Sequence, residues 1–552
     1  MDAIFSLPPA LMILYAEIHY TFRLGFSLVR TDFPEIIADL PWRIEPGQKI
    51  PILCLIKDAD QYPIFLDEIV VTAQWGGKGS LSRSFPLDPE PIKAHFWHRI
   101  LEFPHEEIPP GPVRIDVLFL GRRRGRTFRF YNDNYRRLSH ASLQTMLACD
   151  PLPNMSDWHP GDPHIHSSFT EDQAEFGAPP EATGQMARAM GLSWTAITDH
   201  SYDLDDQPRN PLAHDPELKK WRELVRRISN LNQREKDFVT LLGEEVSCGN
   251  ARNRNVHLLA YGVPNFIPGS GDSAEHWLRT EPTLNLREAL EIIGRAGGLA
   301  YAAHPEEFGS ILEKILLRRG PWSMKDYTLP GLSGLQIWNG TRDHGLARGL
   351  ARWIQLLLRG KRLFIIGGND AHGNFNRFRQ LRLPFIALRE SGKQVFGRVR
   401  THLYCPGGVS HEALLLALRK GQAITTDGPF ATFQVQNERG QRAFLGQSIS
   451  GQEITVEILA KTSREFGALE RIDLYCGEIG GREKRIRNLR RGRDFQDQTK
   501  VNLKERYITI RRSSYFRLEV ETAAGERTWR AFTNPIWINP APGIEKDDEY
   551  QG

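Results

Sequence analysis

The feature that most constrains the fold lies between residues 156 and 430, where apolar runs alternate with amphipathic helical segments. LSWTAITDH is followed by a helical stretch and then by DFVTLLGEEVS, and the same alternation leads on to LFIIGGNDAH. Repeated strand and helix of this kind predicts parallel strands joined by crossover helices. About seven strands over roughly 220 residues favour a barrel related to the (β/α)₈ design, with an open sheet as the alternative.

The segments on either side of residues 156–430 have a different pattern of apolar residues. Both contain short alternating apolar runs, such as RIDVLFLG and EITVEILAK, with Pro and Gly between them. Period-two runs with frequent turn residues predict antiparallel β structure. We therefore predict three domains: a mainly β domain over residues 1–155, a β/α barrel over 156–430, and a β-sandwich with a short acidic tail over 431–552.

Composition limits the class of protein and its partners. The 552 residues are 40% hydrophobic and 25% charged, which is typical of folded multidomain proteins, and a formal net charge of +4 gives no reason to expect a polyanionic partner. The five cysteines are scattered and form no CxxC pair, which indicates reduced thiols. No apolar window reaches the roughly 18 uninterrupted residues of a membrane span. We predict a cytoplasmic protein without a membrane partner.

Side chains that can bind metal ions follow the predicted barrel strands. The carboxyl ends of the strands of a parallel barrel converge on one face, so residues distant in sequence can assemble one site there. Alternate side chains of a strand point the same way, and the histidine pair at 164/166 can therefore present two ligands inward. The strand-end residues are His164, His166, Asp199, His200, Glu244, Glu245, His257, His304, Asp370 and His372.

This set of donors favours a metal centre. Each motif taken singly has a plainer explanation, such as a surface His-x-His pair or a helix-capping Asp. However, a side chain that can bind a metal ion recurs at the end of one predicted strand after another. Six histidines with carboxylates and without cysteine suit Zn²⁺, Mn²⁺ or Fe²⁺. The donors outnumber the ligands of one ion, which predicts two or three divalent metal ions with a bridging carboxylate.

The ordered motifs also carry a family resemblance. DPHIH, TDHS, GEEV with a following His, AAHP and NDAH resemble the motifs of the polymerase and histidinol phosphatase (PHP) superfamily, and ALRKGQAITTDGPF with AFTNPIWI is similar to its carbaryl-hydrolase-like branch. The resemblance covers residues 160–430. It implies an α/β fold: a distorted seven-stranded β/α (TIM-like) barrel, flanked here by N-terminal and C-terminal β-sandwich domains.

The resemblance implies the roles of individual residues. Glu245 is preferred to Glu244 as the bridging carboxylate, because the family pattern is Gly, any residue, Glu, and Gly243 sets the count. For one further ligand the chain offers Glu171 and Asp172, of which Asp172 is chosen. The implied metal ligands are His164, His166, Asp172, His200, Glu245, His257, His304, Asp370 and His372. The residues implied in catalysis are Asp199, His200, Glu245 and Asp370, with Asp199 orienting a ligating imidazole.

Hydrolysis is the predicted reaction, since shared cations lower the pKa of a bridging water and stabilise charge on the group attacked. The resemblance implies a phosphoesterase acting on a small phosphate ester. A carbamate, amide or ester hydrolase with the same metal site stays open, as do a nucleic-acid-processing module and an inactive binding protein. The predicted partner is a small-molecule ester, and nucleic acid is not expected. The sequence predicts no oligomeric state.

Overall fold

The structure is a computed structural model. It describes residues 33–540 except 89, 135–140, 171–176, 209, 272–280, 308–313, 315–316, 377–379, 384–385, 390–393 and 509. Glu171 and Asp172 lie outside the described residues, as does the acidic tail. None of the helices in the described part of the chain combines the length and the apolar character needed to cross a membrane.

The described residues between 33 and 147 form two β-sheets around one core. Strand β4 and strand β8 bury every second residue over most of their length, which places one face of their sheet on the core. The sheets have the orders β1-β3-β7 and β2-β10-β8-β4-β5, and all their pairs are antiparallel except β2 with β10. The strands are β1 (Glu35–Asp39), β2 (Arg43–Ile44), β3 (Ile50–Lys57), β4 (Ile64–Trp75), β5 (Gly79–Pro86), β6 (Pro91–Ile92), β7 (Phe96–Phe103), β8 (Gly111–Arg123), β9 (Arg126–Tyr131) and β10 (Leu143–Leu147).

The middle of the chain contains the helices and the strands that carry the candidate site. The strands are β11 (Trp158–His166), β12 (Trp194–Ile197), β13 (Asp206–Gln207), β14 (Asn210–His214), β15 (Val239–Gly249), β16 (Asn255–Tyr261), β17 (Leu299–Ala302), β18 (Leu332–Asn339), β19 (Phe364–Gly368), β20 (Ala371–His372), β21 (Gln380–Leu383), β22 (Ile386–Arg389), β23 (Arg400–Tyr404) and β24 (Ala423–Thr426). The helices are α1 (Pro180–Ala189), α2 (Ser201–Leu204), α3 (Lys219–Arg234), α4 (Leu286–Arg295), α5 (Met324–Tyr327), α6 (His344–Leu358) and α7 (His411–Lys420).

The pairing of these strands corrects the predicted fold class. The order is β19-β18-β17-β16-β15-β12-β11-β23-β24, and β16 is antiparallel to both its neighbours, as β23 is to β11. Residues 369 and 370 separate β19 from the two-residue β20, which pairs with β11, so the ladders form no closed ring. The prediction of a TIM-like β/α barrel is therefore wrong. The physical reason is the five-residue connection from β15 to β16, which is too short for a crossover helix.

The last part of the chain continues the same large sheet. Strand β24 pairs with β33, and the order runs on through β32, β29 and β30, while a four-stranded sheet β26-β25-β28-β31 covers the core from the other side. The domain boundary near residue 430 stays a prediction. The strands are β25 (Phe430–Asn437), β26 (Arg442–Ala443), β27 (Ser448–Ser450), β28 (Glu453–Lys461), β29 (Ala468–Glu478), β30 (Glu483–Arg490), β31 (Lys500–Ile508), β32 (Ser514–Ala524), β33 (Arg527–Thr533) and β34 (Ile536–Asn539), with a 3₁₀ turn at Arg464–Phe466.

Strand β11 is held against its neighbour by an indole ring. Trp194 of β12 is fully buried, and its Nε1 donates to the carbonyl of His159 at 2.9 Å. Gly161 is the register partner of Trp194, and a Cβ at this glycine would lie 2.3 Å from the indole ring. A side chain at residue 161 would push β11, with both its histidines, away from β12.

We expect Gly161→Ala to destabilise the protein by about 1–3 kcal/mol, because the added methyl group overpacks this contact. The matched change Gly294→Ala lies in helix α4, where a Cβ meets nothing within 4 Å. It should stabilise by roughly 0.5–1 kcal/mol, because alanine favours helix more than glycine does. Thermal unfolding of both variants checks the pair. Equal midpoints for Gly161→Ala and the wild type would contradict the tight β11–β12 approach.

Candidate metal centre

Six histidine side chains meet at one end of the middle sheet. Strand β16 runs in the opposite direction to β15, so its first residues lie at the end where the other strands finish. The rings are close: the centroid of His166 is 4.1 Å from that of His372 and 4.3 Å from that of His200. The six are His164, His166, His200, His257, His304 and His372, of which the first four are buried.

The β15–β16 hairpin brings a carboxylate to this group. Ser247 and His257 are register partners, and Glu245 lies two residues from Ser247 on the same face of β15. The side chains of Glu245 and His257 are therefore diagonal neighbours, and Glu245 Oε1 lies 2.7 Å from His257 Nδ1. The same oxygen is 3.1 Å from His304 Nε2.

The second oxygen of Glu245 contacts three more imidazoles. Glu245 Oε2 lies 3.3 Å from Nε2 of both His164 and His166, and 3.2 Å from His200 Nδ1. One fully buried carboxylate thus touches five histidines. This is the position that a carboxylate bridging two cations would occupy.

Asp370 is the second carboxylate of the cluster. Its Oδ1 lies 3.0 Å from His166 Nε2 and 3.4 Å from His164 Nε2. Its backbone has a φ of +52°, and its amide donates to the carbonyl of His164 at 2.9 Å. His304 also has a positive φ, of +29°. Strained backbone at non-glycine residues is typical of functional sites.

The donor atoms form three overlapping groups that fit divalent cations, with the atoms of each group within 4.8 Å of one another. His164 Nε2, His200 Nδ1 and Glu245 Oε2 are buried and make no hydrogen bond with any residue that the structure describes. Buried polar atoms without a partner are costly, and a cation would supply the missing partner for all three. The groups are His166, His200 and His372; His164, His166, Glu245 and Asp370; and His200, Glu245 and His257.

The cluster controls the protonation of its own members. Burial opposes the ionisation of Glu245, but His257 and the other neighbouring imidazoles hold the pKa of this carboxyl well below its ordinary value. Burial lowers the pKa of His200 well below its ordinary value, which favours the neutral form that binds metals. At His166 burial is outweighed by Asp370 and Glu245, and the pKa rises to about 10. A cation would therefore displace a proton at that ring.

The structure separates the two neighbouring glutamates. Glu244 lies outside the cluster: its carboxyl accepts from Ser201 Oγ at 3.1 Å and from the amide of Ile267 at 3.2 Å. Burial raises the pKa of Glu244 to about 8. Glu245, and not Glu244, is the carboxylate brought to the histidines. Eight of the nine residues expected as ligands meet here, and their role as ligands stays a prediction; the ninth, Asp172, is outside the described residues.

Asp199 has a different contact from the one expected. Its carboxylate accepts from the amide and the hydroxyl of Ser167, both at 2.6 Å, and the structure gives it no hydrogen bond to an imidazole in the described part of the chain. Because Ser167 follows His166 directly, Asp199 holds the turn after β11. The contact with Ser167 is what the structure shows, and a catalytic role of Asp199 stays a prediction.

Two amide side chains at the cluster were missed in the sequence. Gln336 Oε1 lies 2.8 Å from His164 Nδ1, and Gln394 Nε2 donates to Asp370 Oδ2 at 2.8 Å. Gln336 is a polar residue inside the apolar run LSGLQIWN, which is the one signal that could have indicated it. Gln394 has no comparable signal.

Comparisons with known proteins give only weak similarities. No protein-family model and no curated protein matches the chain. A calcium-binding mutant of Bacteroides uniformis beta-glucuronidase 2 shares 11% identity with a TM-score of 0.19, over 92% of this chain and 60% of that one. Parabacteroides merdae beta-glucuronidase shares 9% with a TM-score of 0.18, over 93% and 65%. A glycosyl hydrolase family 2 member from Bacteroides cellulosilyticus shares 9% with a TM-score of 0.16, over 94% and 64%.

These findings correct the family and the reaction expected from the motifs. No family model supports the PHP superfamily, and the three solved structures named above are two beta-glucuronidases and a glycosyl hydrolase family 2 member. The superfamily assignment and the phosphoesterase activity that it implied are withdrawn. The chain spans 60–65% of the length of these structures, and TM-scores below 0.2 establish neither its fold nor its activity.

We expect Asp199→Ala to destabilise the protein by about 1–3 kcal/mol, because it leaves two buried donors of Ser167 without an acceptor. Asp199→Asn, which keeps an acceptor for the amide, should retain the metal content of the wild type. The exposed Asp237 gives the matched control, Asp237→Ala, which should change stability by less than about 0.5 kcal/mol. Thermal unfolding and elemental analysis check both expectations. Loss of bound metal in a folded Asp199→Asn variant would contradict the contact seen here.

Proposed function

We propose that the protein is a metal-dependent hydrolase that holds two or three divalent cations in the histidine cluster. The observation that supports this most directly is the contact of Glu245 with five imidazoles, together with three buried donor atoms that lack a hydrogen-bond partner in the described chain. Imidazole and carboxylate donors without thiolate suit Zn²⁺, Mn²⁺ or Fe²⁺. Such cations, when bound, lower the pKa of a coordinated water and stabilise negative charge on the group that is attacked.

Some side chains of the cluster are fully buried, and others are partly exposed to solvent. His164, His166 and Glu245 have no exposed side-chain surface. Asp370, His304 and His200 are 12%, 15% and 10% exposed, and they mark the edge that water can reach. We assign this edge to the approach of a small-molecule substrate. Asp370 is the carboxylate of the cluster on this edge, and we assign to it the acceptance of a proton from an incoming water.

The low pKa of the two carboxyls supports this division of roles. Both Glu245 and Asp370 are ionised despite burial, because the surrounding imidazoles stabilise the charged form. Two negative charges among the donors favour divalent cations over monovalent ones. The neutral His200 completes two of the three donor groups.

We also propose a cytoplasmic location. None of the five cysteines, all of them described by the structure, forms a disulfide, and burial raises the pKa of the Cys405 and Cys476 thiols to about 12 and about 11. Several thiols without a disulfide frame are typical of proteins in a reducing compartment.

We expect the purified protein to bind two or three equivalents of Zn²⁺ or Mn²⁺ per chain, measured by elemental analysis after dialysis. Glu245→Gln removes the central negative charge with little change of shape, and it should lose at least one equivalent. The exposed Glu526 gives the matched control, because Glu526→Gln alters charge equally at a site far from the cluster in sequence and outside its contacts. A wild-type protein that binds no metal would overturn the proposed site.

We expect hydrolytic turnover that depends on the bound metal. A panel of chromogenic glycosides, acyl esters, amides and phosphate esters identifies the substrate class, and chelation should abolish turnover until Zn²⁺ or Mn²⁺ is restored. His200→Asn should lower kcat by about 100-fold or more, because it removes a donor at the edge that water reaches. If turnover survives complete removal of metal, or if the metal-loaded protein hydrolyses no member of the panel, the proposed activity is wrong.

A further inference from the structure

A buried amide from a neighbouring strand contacts the first histidine of β11. Gln336 of β18 has no exposed surface, and its Oε1 lies 2.8 Å from Nδ1 of His164. The other ring nitrogen of His164, Nε2, points to the carboxylates of Glu245 and Asp370, at 3.3 and 3.4 Å. The two sides of this imidazole therefore have different partners. Which nitrogen carries the proton depends on which way the amide of Gln336 is turned.

The direction of the amide is set by a short chain of hydrogen bonds. Asn339 Nδ2 donates to Asp370 Oδ2 at 3.5 Å and to Glu307 Oε2 at 3.3 Å. A carboxylate oxygen accepts, so the amide nitrogen of Asn339 faces these groups and its oxygen faces the other way. That oxygen, Oδ1, accepts from Gln336 Nε2 at 3.1 Å. The oxygen of Gln336 is thereby left to face His164, and it can only accept.

We infer that Gln336 and Asn339 are positioning residues that fix His164 as the tautomer with its proton on Nδ1, so that the lone pair of Nε2 is directed into the metal centre. This inference rests on the proposed metal site. The chain of hydrogen bonds runs from Asp370 through Asn339 and Gln336 to His164. Both of its ends belong to the same group of donor atoms. Asp370, an expected ligand, thus determines which ring nitrogen of His164, another expected ligand, carries the proton.

Two other rings of the cluster have partners of a different kind. Nδ1 of His166 faces the hydroxyl of Thr170 at 3.3 Å, and a hydroxyl can donate or accept. Nδ1 of His372 lies 3.1 Å from the carbonyl of Asp370, which accepts without help from any side chain. An amide side chain, in contrast, presents either a donor or an acceptor, and only a second partner decides between them. Gln336 therefore needs Asn339, whereas the other two rings do not depend on such a pair.

The test measures the Zn²⁺ affinity of the full-length protein by competition with a chelator. Gln336→Met keeps the volume and removes the acceptor, and it should weaken binding by about 10- to 100-fold, as loss of the partner of a ligating histidine does. Gln336→Glu restores an acceptor for Nδ1 and should keep the affinity within about threefold of the wild type. Gln355 lies exposed on α6, so Gln355→Met is the matched control and should leave the affinity unchanged.

A second variant and a second readout guard against a fold defect. Asn339→Leu leaves Gln336 in place but free to turn, and it should weaken binding by about 3- to 10-fold. In the Zn²⁺-loaded wild type, the ¹⁵N shifts of selectively labelled histidine should show a proton on Nδ1 of His164. Thermal unfolding in chelator identifies any variant that has lost its fold. If Gln336→Met is unfolded, the Zn²⁺ affinity of Asn339→Leu and the tautomer of His164 test the inference.

The outcomes separate the inference from the function on which it rests. A folded Gln336→Met variant that binds Zn²⁺ as tightly as the wild type overturns the inference alone. So does equal weakening by Gln336→Met and Gln336→Glu, because that result assigns packing, and not the acceptor, to Gln336. A His164 ring with its proton on Nε2 in the loaded protein has the same consequence. A wild type that binds no Zn²⁺ overturns the proposed metal site, and the inference with it.

Discussion

A fully buried carboxylate, Glu245, lies within 3.3 Å of ring nitrogens from five histidines. The burial of an ionised carboxylate costs several kcal/mol unless its partners are close and well placed. Those partners come from β11, β16 and the residues after β12 and β17, so Glu245 can be buried in its ionised form only if these strand ends converge. The contact of Trp194 with Gly161 and the register of the β15–β16 hairpin are therefore requirements of this one interaction as much as details of packing.

The hairpin also explains why the strand direction departs from the expected barrel. Asn250 organises the connection, since its Oδ1 accepts from the amides of Arg252 and Arg254 at 2.9 and 3.0 Å. Asn253 has a φ of +52°, a conformation that asparagine tolerates better than most residues. Such a turn returns the chain antiparallel, and it sets His257 diagonally beside Glu245. With a crossover helix in its place, β16 would run parallel, and the start of the strand, where His257 lies, would be at the far end of the sheet.

The candidate site was more predictable than the fold around it. The polar residues beside the strands indicated the side chains that the structure brings together, but His257 lies near the start of β16 and joins the cluster only because that strand runs antiparallel to its neighbours. Strand direction depends on the length of a connection, and the Asn-rich turn CGNARNRN between two apolar runs was the overlooked signal. Gln336 and Gln394 could not be found from donor chemistry, because an amide is neither a titratable group nor a preferred ligand of these cations.

Two members of the cluster, His304 and Asp370, have left-handed backbone conformations, which cost on the order of 1–3 kcal/mol for residues other than glycine. Each lies two residues after the end of a strand, where continued extension would send alternate side chains to opposite faces. The left-handed turn re-aims the side chain toward the cluster, and local bonds hold the backbone: the Asp370 amide donates to the carbonyl of His164, and the His304 carbonyl accepts from the amide of residue 307. If these side chains only stabilised the fold, the strained backbone would bring no advantage, because the charged groups could remain in solvent. Strain at two residues whose side chains both join the cluster, Asp370 beside His164 and His166 and His304 beside Glu245, instead favours a centre built to hold cations.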